Sequence, residues 1–122
     1  MHAPTVGLTK GCAMSRAVVI RKRDTKNFME GAEHCREYVR DSYLWFGVSV
    51  VPPGQRGEVD TGHADSEEIF FCATGHVLVC DGEVHYELEA GDALVIPPEL
   101  PHTIVNIGEV PATVVWAGAP GE

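Results

Sequence analysis

From Glu58 to Ala117 short apolar runs alternate with turn signals at close spacing, and this rhythm limits the chain to a small set of folds. Thr74-Gly75, Asp81-Gly82, Ala90-Gly91-Asp92, Pro97-Pro98, Gly108 and Pro111 punctuate it. Between them the alternation predicts strands near Glu58–His63, Glu67–Ala73, His76–Cys80, Glu83–Glu89, Ala93–Ile96, His102–Ile107 and Ala112–Ala117. Asp81-Gly82 is a strong hairpin signal, because both residues tolerate the positive φ a two-residue turn requires. Many short strands with regular turns indicate an all-β sandwich or barrel.

The first half is less regular. Ala17–Ile20 is a β-branched run before the basic cluster Arg21-Lys22-Arg23, and reads as a first strand leaving the core. Asn27–Arg40 fits both helical and strand spacing; an extended segment is expected, with Asp41-Ser42 turning into the next strand. Tyr43–Val51 is the strongest strand signal of this half. Leu44, Phe46, Val48 and Val50 would share one face, and Tyr43, Trp45, Gly47 and Ser49 the other. Met1–Ala13 reads as a flexible tail ahead of one domain spanning residues 14–122, and Gly118–Glu122 as a loose end.

Charge is unevenly placed. The net charge of −9 argues against nucleic acid as a partner. All nine Lys and Arg lie at or before Arg56, whereas thirteen of the eighteen acids follow it. A site built from the second half would therefore suit a cation, and a guanidinium facing it would come from Arg36, Arg40 or Arg56. No apolar run is long enough to span a bilayer and no signal-peptide layout is present, so no membrane role and a cytoplasmic location are expected. The four cysteines form no C-x-x-C pair; Cys72 and Cys80 read as small core residues, and Cys35 lies in a more polar, exposed-looking segment.

Three residues carry chemistry in this pattern. Glu68 opens an otherwise apolar strand, sharing a face with Phe70 and Cys72. A carboxylate aimed into a barrel must be paired, protonated or metal-bound. His63 precedes it across a short turn, and His102 follows a Pro-rich turn on a face shared with Ile104 and Asn106. Two histidines and one carboxylate are the set that leaves open positions on a non-haem iron, and zinc, manganese, nickel or copper could use it equally. His85 and His34 fall on solvent-facing positions, and His76 reads as a surface residue.

These stretches also resemble a known family. Gly91-x5-Pro97 followed by His102-x3-Asn106 closely resembles the second motif of the cupins, with Glu99 standing where that motif has a glycine. Glu68-x6-Gly75 resembles the first motif, and His63 sits at the second of its two histidine positions. Thr61 occupies the place of the first histidine. The resemblance covers about residues 44–117. It implies a double-stranded β-helix, or jelly-roll, barrel with one divalent metal ion held by His63, Glu68 and His102. Asp60 is the better candidate for a fourth ligand; Thr61 and Asp65 are further possibilities as ligands or supporting groups. Tyr43, Trp45, Ser49, Arg56, Phe70 and Trp116 are expected to line the pocket. Family habit also implies a homodimer through an outer sheet.

Two function classes follow. One is a metal-dependent enzyme of oxygenase, lyase or isomerase type acting on a small organic molecule. The other is a non-catalytic cupin that binds or senses a small molecule. The lack of Lys or Arg after Arg56 disfavours 2-oxoglutarate as a co-substrate, because its carboxylate needs a cationic anchor.

Overall fold

A computed structural model describes residues 16–122. The expected tail at Met1–Ala13, with His2 and Cys12, lies outside the described residues. Nine strands account for nearly all regular structure: β1 (Lys26–Glu30), β2 (Glu33–Arg40), β3 (Trp45–Val51), β4 (Glu67–Thr74), β5 (His76–Cys80), β6 (His85–Glu89), β7 (Ala93–Ile96), β8 (Thr103–Asn106) and β9 (Ala112–Ala119). Among the described residues their one companion is a 3-10 turn at Lys22–Asp24. No helix among the described residues is long and apolar enough to cross a membrane.

The strands form two antiparallel sheets. Six pair in the order β1-β2-β3-β9-β4-β7, and three in the order β6-β5-β8. Their inner faces share one core, which includes Trp45, Val51, Phe70, Val77, Val79, Val114 and Ile104. Alternation explains the layering. In β3, Trp45, Gly47, Ser49 and Val51 are buried while Phe46 and Val48 are only partly covered. In β4, Glu68, Phe70 and Cys72 point inward and Ile69 and Phe71 outward. This is the jelly-roll arrangement.

Two cross-strand pairs place the largest side chains. Trp45 on β3 lies opposite Gly118 on β9, and Trp116 on β9 lies opposite Gly47 on β3. Each indole lies across the glycine facing it, where a Cβ would collide with the ring. Both rings can therefore lie flat along the inner face rather than standing into the core. Asn106 fastens the far end. Its amide donates to the Val51 and Val110 carbonyls at 2.9 Å each, and its carbonyl oxygen accepts from Gly108 N–H at 2.8 Å.

Several expectations are corrected. Ala17–Ile20 is not a strand: Val18 and Val19 are 52% and 68% exposed, and no neighbouring strand offers them a ladder. Residues 58–63 form no regular strand. The segment runs beside β8 through isolated bridges at Arg56–Val105 and Asp60–His102, because Val59 faces solvent and leaves it no apolar face to bury. Cys35 is buried, not exposed, since β2 lies against β3 with Cys35 opposite Ser49. The C-terminal residues are not loose. Ser66 donates to the Pro120 carbonyl at 2.6 Å, and Gly121 N–H donates to the Ser42 carbonyl at 3.1 Å.

Candidate metal centre

Glu68 enters the barrel because it lies one residue inside β4, on the same face as Phe70. His102 immediately precedes β8, and its backbone pairs with Asp60 in both directions, at 2.8 and 2.9 Å. That pairing brings the loop carrying Asp60 and His63 over the end of β4. His63 is fixed from a second side, since its carbonyl accepts from Glu99 N–H at 2.7 Å. Glu99 holds φ at +67° and Gly62 at +94°, so the two loops pack backbone to backbone.

Four side chains converge there. Glu68 Oε1 lies 3.3 Å from His102 Nε2 and 3.6 Å from His63 Nε2. Asp60 Oδ2 lies 3.8 Å from His63 Nε2 and 3.9 Å from His102 Nε2. Adjacent ligands bound to one divalent cation at about 2.0–2.2 Å are roughly 3–3.6 Å apart. Glu68 Oε1 and His102 Nε2 are both buried, and neither makes a well-aligned hydrogen bond to the described residues. At 3.3 Å they satisfy each other only when Nε2 carries a proton. With a neutral imidazole both bear the desolvation cost of buried, unpaired polar groups. A cation between them then satisfies both, so this donor set fits a metal.

Each side chain is also oriented by its other polar atom. Trp45 Nε1–H donates to Glu68 Oε2 at 3.3 Å. His102 Nδ1–H donates to the Leu100 carbonyl at 2.8 Å, and His63 Nδ1–H to Glu122 Oε1 at 3.0 Å. Asp60 Oδ1 accepts from Gly62 N–H at 2.8 Å. The atoms left over turn toward Glu68 Oε1: Asp60, His63 and Glu68 present donors within 4.8 Å of one another, and His102 joins them through Glu68, with outer-shell partners fixing tautomer and aim as at metal sites. Burial disfavours the charged form of His102, yet the Glu68 carboxylate and the Leu100 carbonyl outweigh it and raise its pKa.

The other expected site residues separate into two groups. Trp45, Phe70 and Trp116 line the cavity beside the four donors, and Ser49 lies buried behind it. Tyr43 and Arg56 do not line it. Tyr43 is 60% exposed in the turn capped by Asp41, ahead of β3, and Arg56 faces solvent on the edge segment. Thr61 and Asp65 are exposed and stand outside the group formed by Asp60, His63 and Glu68. His76 pairs with Glu87 on the outer surface, as its position suggested.

Sequence reasoning missed the opposite wall. Glu30, Glu33, Glu58 and Cys35 also line the cavity. Glu33 is buried and accepts a hydrogen bond from Ser49 Oγ, which itself accepts from Trp116 Nε1–H at 2.8 Å. Burial pushes the Glu33 carboxyl above the usual range, against the lowering effect of Ser49. Burial and the nearby Asp60 carboxylate do the same to Glu30. The available signal was the inward alternation of Glu33, Cys35 and Glu37 in an extended segment, which competed with an equally good helical spacing.

The cupin domain family matches residues 47–118, more than half of the chain. The protein belongs to the cupin family. Over 72 residues it is 35% identical to the uncharacterized protein MJ1618 of Methanocaldococcus jannaschii, covering 59% of this chain and 57% of that one. The chain thus spans little more than half of that relative. Among solved structures it resembles a double-stranded β-helix protein from Klebsiella pneumoniae, with TM-score 0.73 and 18% identity over 88% of this chain and 93% of the other. It also resembles a protein of Thermotoga maritima described as a predicted oxalate decarboxylase, with TM-score 0.66 and 17% identity over 83% and 97%. At these identities the two structures support the fold alone.

Proposed function

We propose that this cupin is a metal-dependent enzyme acting on a small organic molecule, with one divalent cation held by His63, Glu68 and His102 and with Asp60 as fourth ligand. The observation that carries the reading is the pair of buried, unpartnered atoms Glu68 Oε1 and His102 Nε2, 3.3 Å apart. Iron, zinc, manganese, nickel and copper all accept such donors. A cation there would supply Lewis acidity toward a substrate oxygen.

The chain's own residues do the rest. Trp45 and Leu100 hold Glu68 and His102 in place, which lowers the reorganisation needed on binding. Phe70 packs edge-on to His102 at 5.4 Å between ring centres and shields it from water. The cavity encloses about 60 Å³, so the molecule bound is small. Across it lies the buried Glu33 carboxyl, which burial raises above the usual glutamate range.

Elemental analysis of the purified protein tests the reading. Near one equivalent of a transition metal is expected, with strong loss in His102→Ala and Glu68→Ala and partial loss in Asp60→Ala. Metal well below one equivalent, unchanged by these substitutions, would sink it.

We also infer self-association through the outer face of the six-stranded sheet. Ile69, Phe71 and Val95 are 42%, 43% and 59% exposed, and Ile69 pairs directly with Val95. An apolar patch shared by adjacent strands suits an isologous contact with a second copy.

A further inference from the structure

Arg40 is the one Lys or Arg lining the cavity among the described residues. Strand alternation alone would not put it there. In β2, Glu33, Cys35 and Glu37 face inward, with Cys35 opposite Ser49 and Glu37 opposite Gly47. The next residue of that parity is Val39. A bulge at Tyr38 intervenes, so Val39 falls opposite Phe46 and Arg40 opposite the inward-facing Trp45. One inserted residue thus turns the guanidinium from the outer surface to the mouth of the cavity, a common use of a bulge.

The guanidinium is also held there. Its Nε donates to Glu37 Oε2 at 2.7 Å, which the bulge permits by placing both residues on the inner face. Its Cζ lies 5.3 Å from the Trp45 ring centre. The imidazole of His63 packs on the same indole, 4.3 Å between ring centres, and that indole's N–H holds Glu68. Arg40 and two candidate ligands therefore share one rigid side chain. The Nη atoms make no hydrogen bond to the described residues and keep a free donor edge.

The geometry points to Arg40 as the anion-binding residue of this cavity, and to a substrate whose carboxylate it clamps at the mouth while the remainder reaches the centre formed by His63, Glu68 and His102. This rests on the metal-centre reading for the second half of that statement. A carboxylate fits better than a phosphate. A single guanidinium, already paired on one side with Glu37, matches a single negative charge. The walls add the carboxylate of Glu58, which would repel a dianion more than a monoanion. The small volume accommodates a few-carbon acid.

The test is calorimetric titration of zinc-loaded protein with glycolate, a monoanion, and with inorganic phosphate and glycerol, in wild type, Arg40→Gln and Arg40→Lys. Metal content is measured on every sample. Glycolate is expected to bind more tightly than phosphate, and glycerol not to bind detectably. Arg40→Gln should weaken glycolate by about 10- to 100-fold, as loss of a charge-assisted pair does, with zinc content unchanged. Arg40→Lys should fall between, because an ammonium cannot bind bidentately. Equal glycolate affinity in Arg40→Gln and wild type overturns the assignment, as does absence of glycolate binding to wild type. Tighter binding of phosphate overturns the choice of carboxylate. If wild type holds no zinc, the metal-centre reading fails on its own. The glycolate titrations of metal-free protein then decide Arg40 separately: weakening in Arg40→Gln sustains it, and equality overturns it.

Discussion

The indole N–H of Trp45 donates to Oε2 of Glu68, leaving Oε1 of the same carboxylate turned toward His102. One hydrogen bond thus decides which oxygen faces the candidate metal position. Trp45→Phe keeps an aromatic ring, though a smaller one, and removes the donor. We expect metal affinity to fall about 10-fold or more, in line with other outer-shell losses. Competition with a chromogenic chelator measures it; unchanged affinity would show that Glu68 is held by packing alone.

Metal should also stabilise the fold. At a free concentration 100 times Kd, binding adds about 2.7 kcal/mol. For a domain of this size that corresponds to a rise in Tm of roughly 10 °C. Thermal unfolding before and after chelator treatment checks this, and a Tm unmoved by zinc, manganese, nickel, copper and iron would count against the site.

The tryptophan-glycine pairs predict a structural sensitivity. A Cβ at Gly118 would collide with the Trp45 ring, and one at Gly47 with Trp116 and the Arg36 carbonyl. Gly118→Ala and Gly47→Ala should each cost about 1–3 kcal/mol, measured by urea unfolding. Gly118→Ala should in addition weaken metal binding, because it displaces the ring that holds Glu68.

Glu99 sits at φ +67° where the related motif carries glycine. A β-carbon costs roughly 1–2 kcal/mol in that conformation, partly offset by the greater backbone entropy glycine loses on folding. Glu99→Gly should therefore stabilise the protein by up to about 1 kcal/mol. Equilibrium denaturation showing destabilisation would mean that the Glu99 side chain contributes more than its strain removes.

Glu33 supplies a pH dependence. Its folded pKa is raised, chiefly by burial, so the folded state binds more protons than the unfolded state between the ordinary glutamate value and the raised one. Stability must then fall as pH rises through that window, beginning near about pH 4.3. Glu33→Gln should flatten this decline relative to wild type, and parallel unfolding curves across pH would refute it. The variant should also keep the Trp116–Ser49 hydrogen bond, since Gln can still accept from Ser49.

How far the sequence could be read depended on what kind of constraint each element obeyed. Where a strand is bounded by turn chemistry and buried on one face, as in His76–Cys80 and Ala93–Ile96, local pattern alone specifies it, and both match residue for residue. The inward aim of Glu68 and His102 was legible for the same reason: period-two alternation is a local property. Ala17–Ile20 had strand propensity but no partner, and propensity without a ladder buries nothing.

Contacts between distant segments were not legible. That Asp60 is held near His102 by paired backbone, that Glu33 closes the opposite wall through Ser49, and that Glu122 reaches His63 depend on which strands become neighbours. The charge distribution offered Arg36, Arg40 and Arg56 as a guanidinium for the site, but which of them enters the cavity was settled only by the register between β2 and β3, whose extra residue at Tyr38 turns Arg40 inward. Local sequence determined most strands from Glu67 onward, the barrel class and the inward aim of Glu68 and His102. Tertiary structure decided which further charges share their cavity, because register and close packing are settled by the whole sheet and not by any one strand.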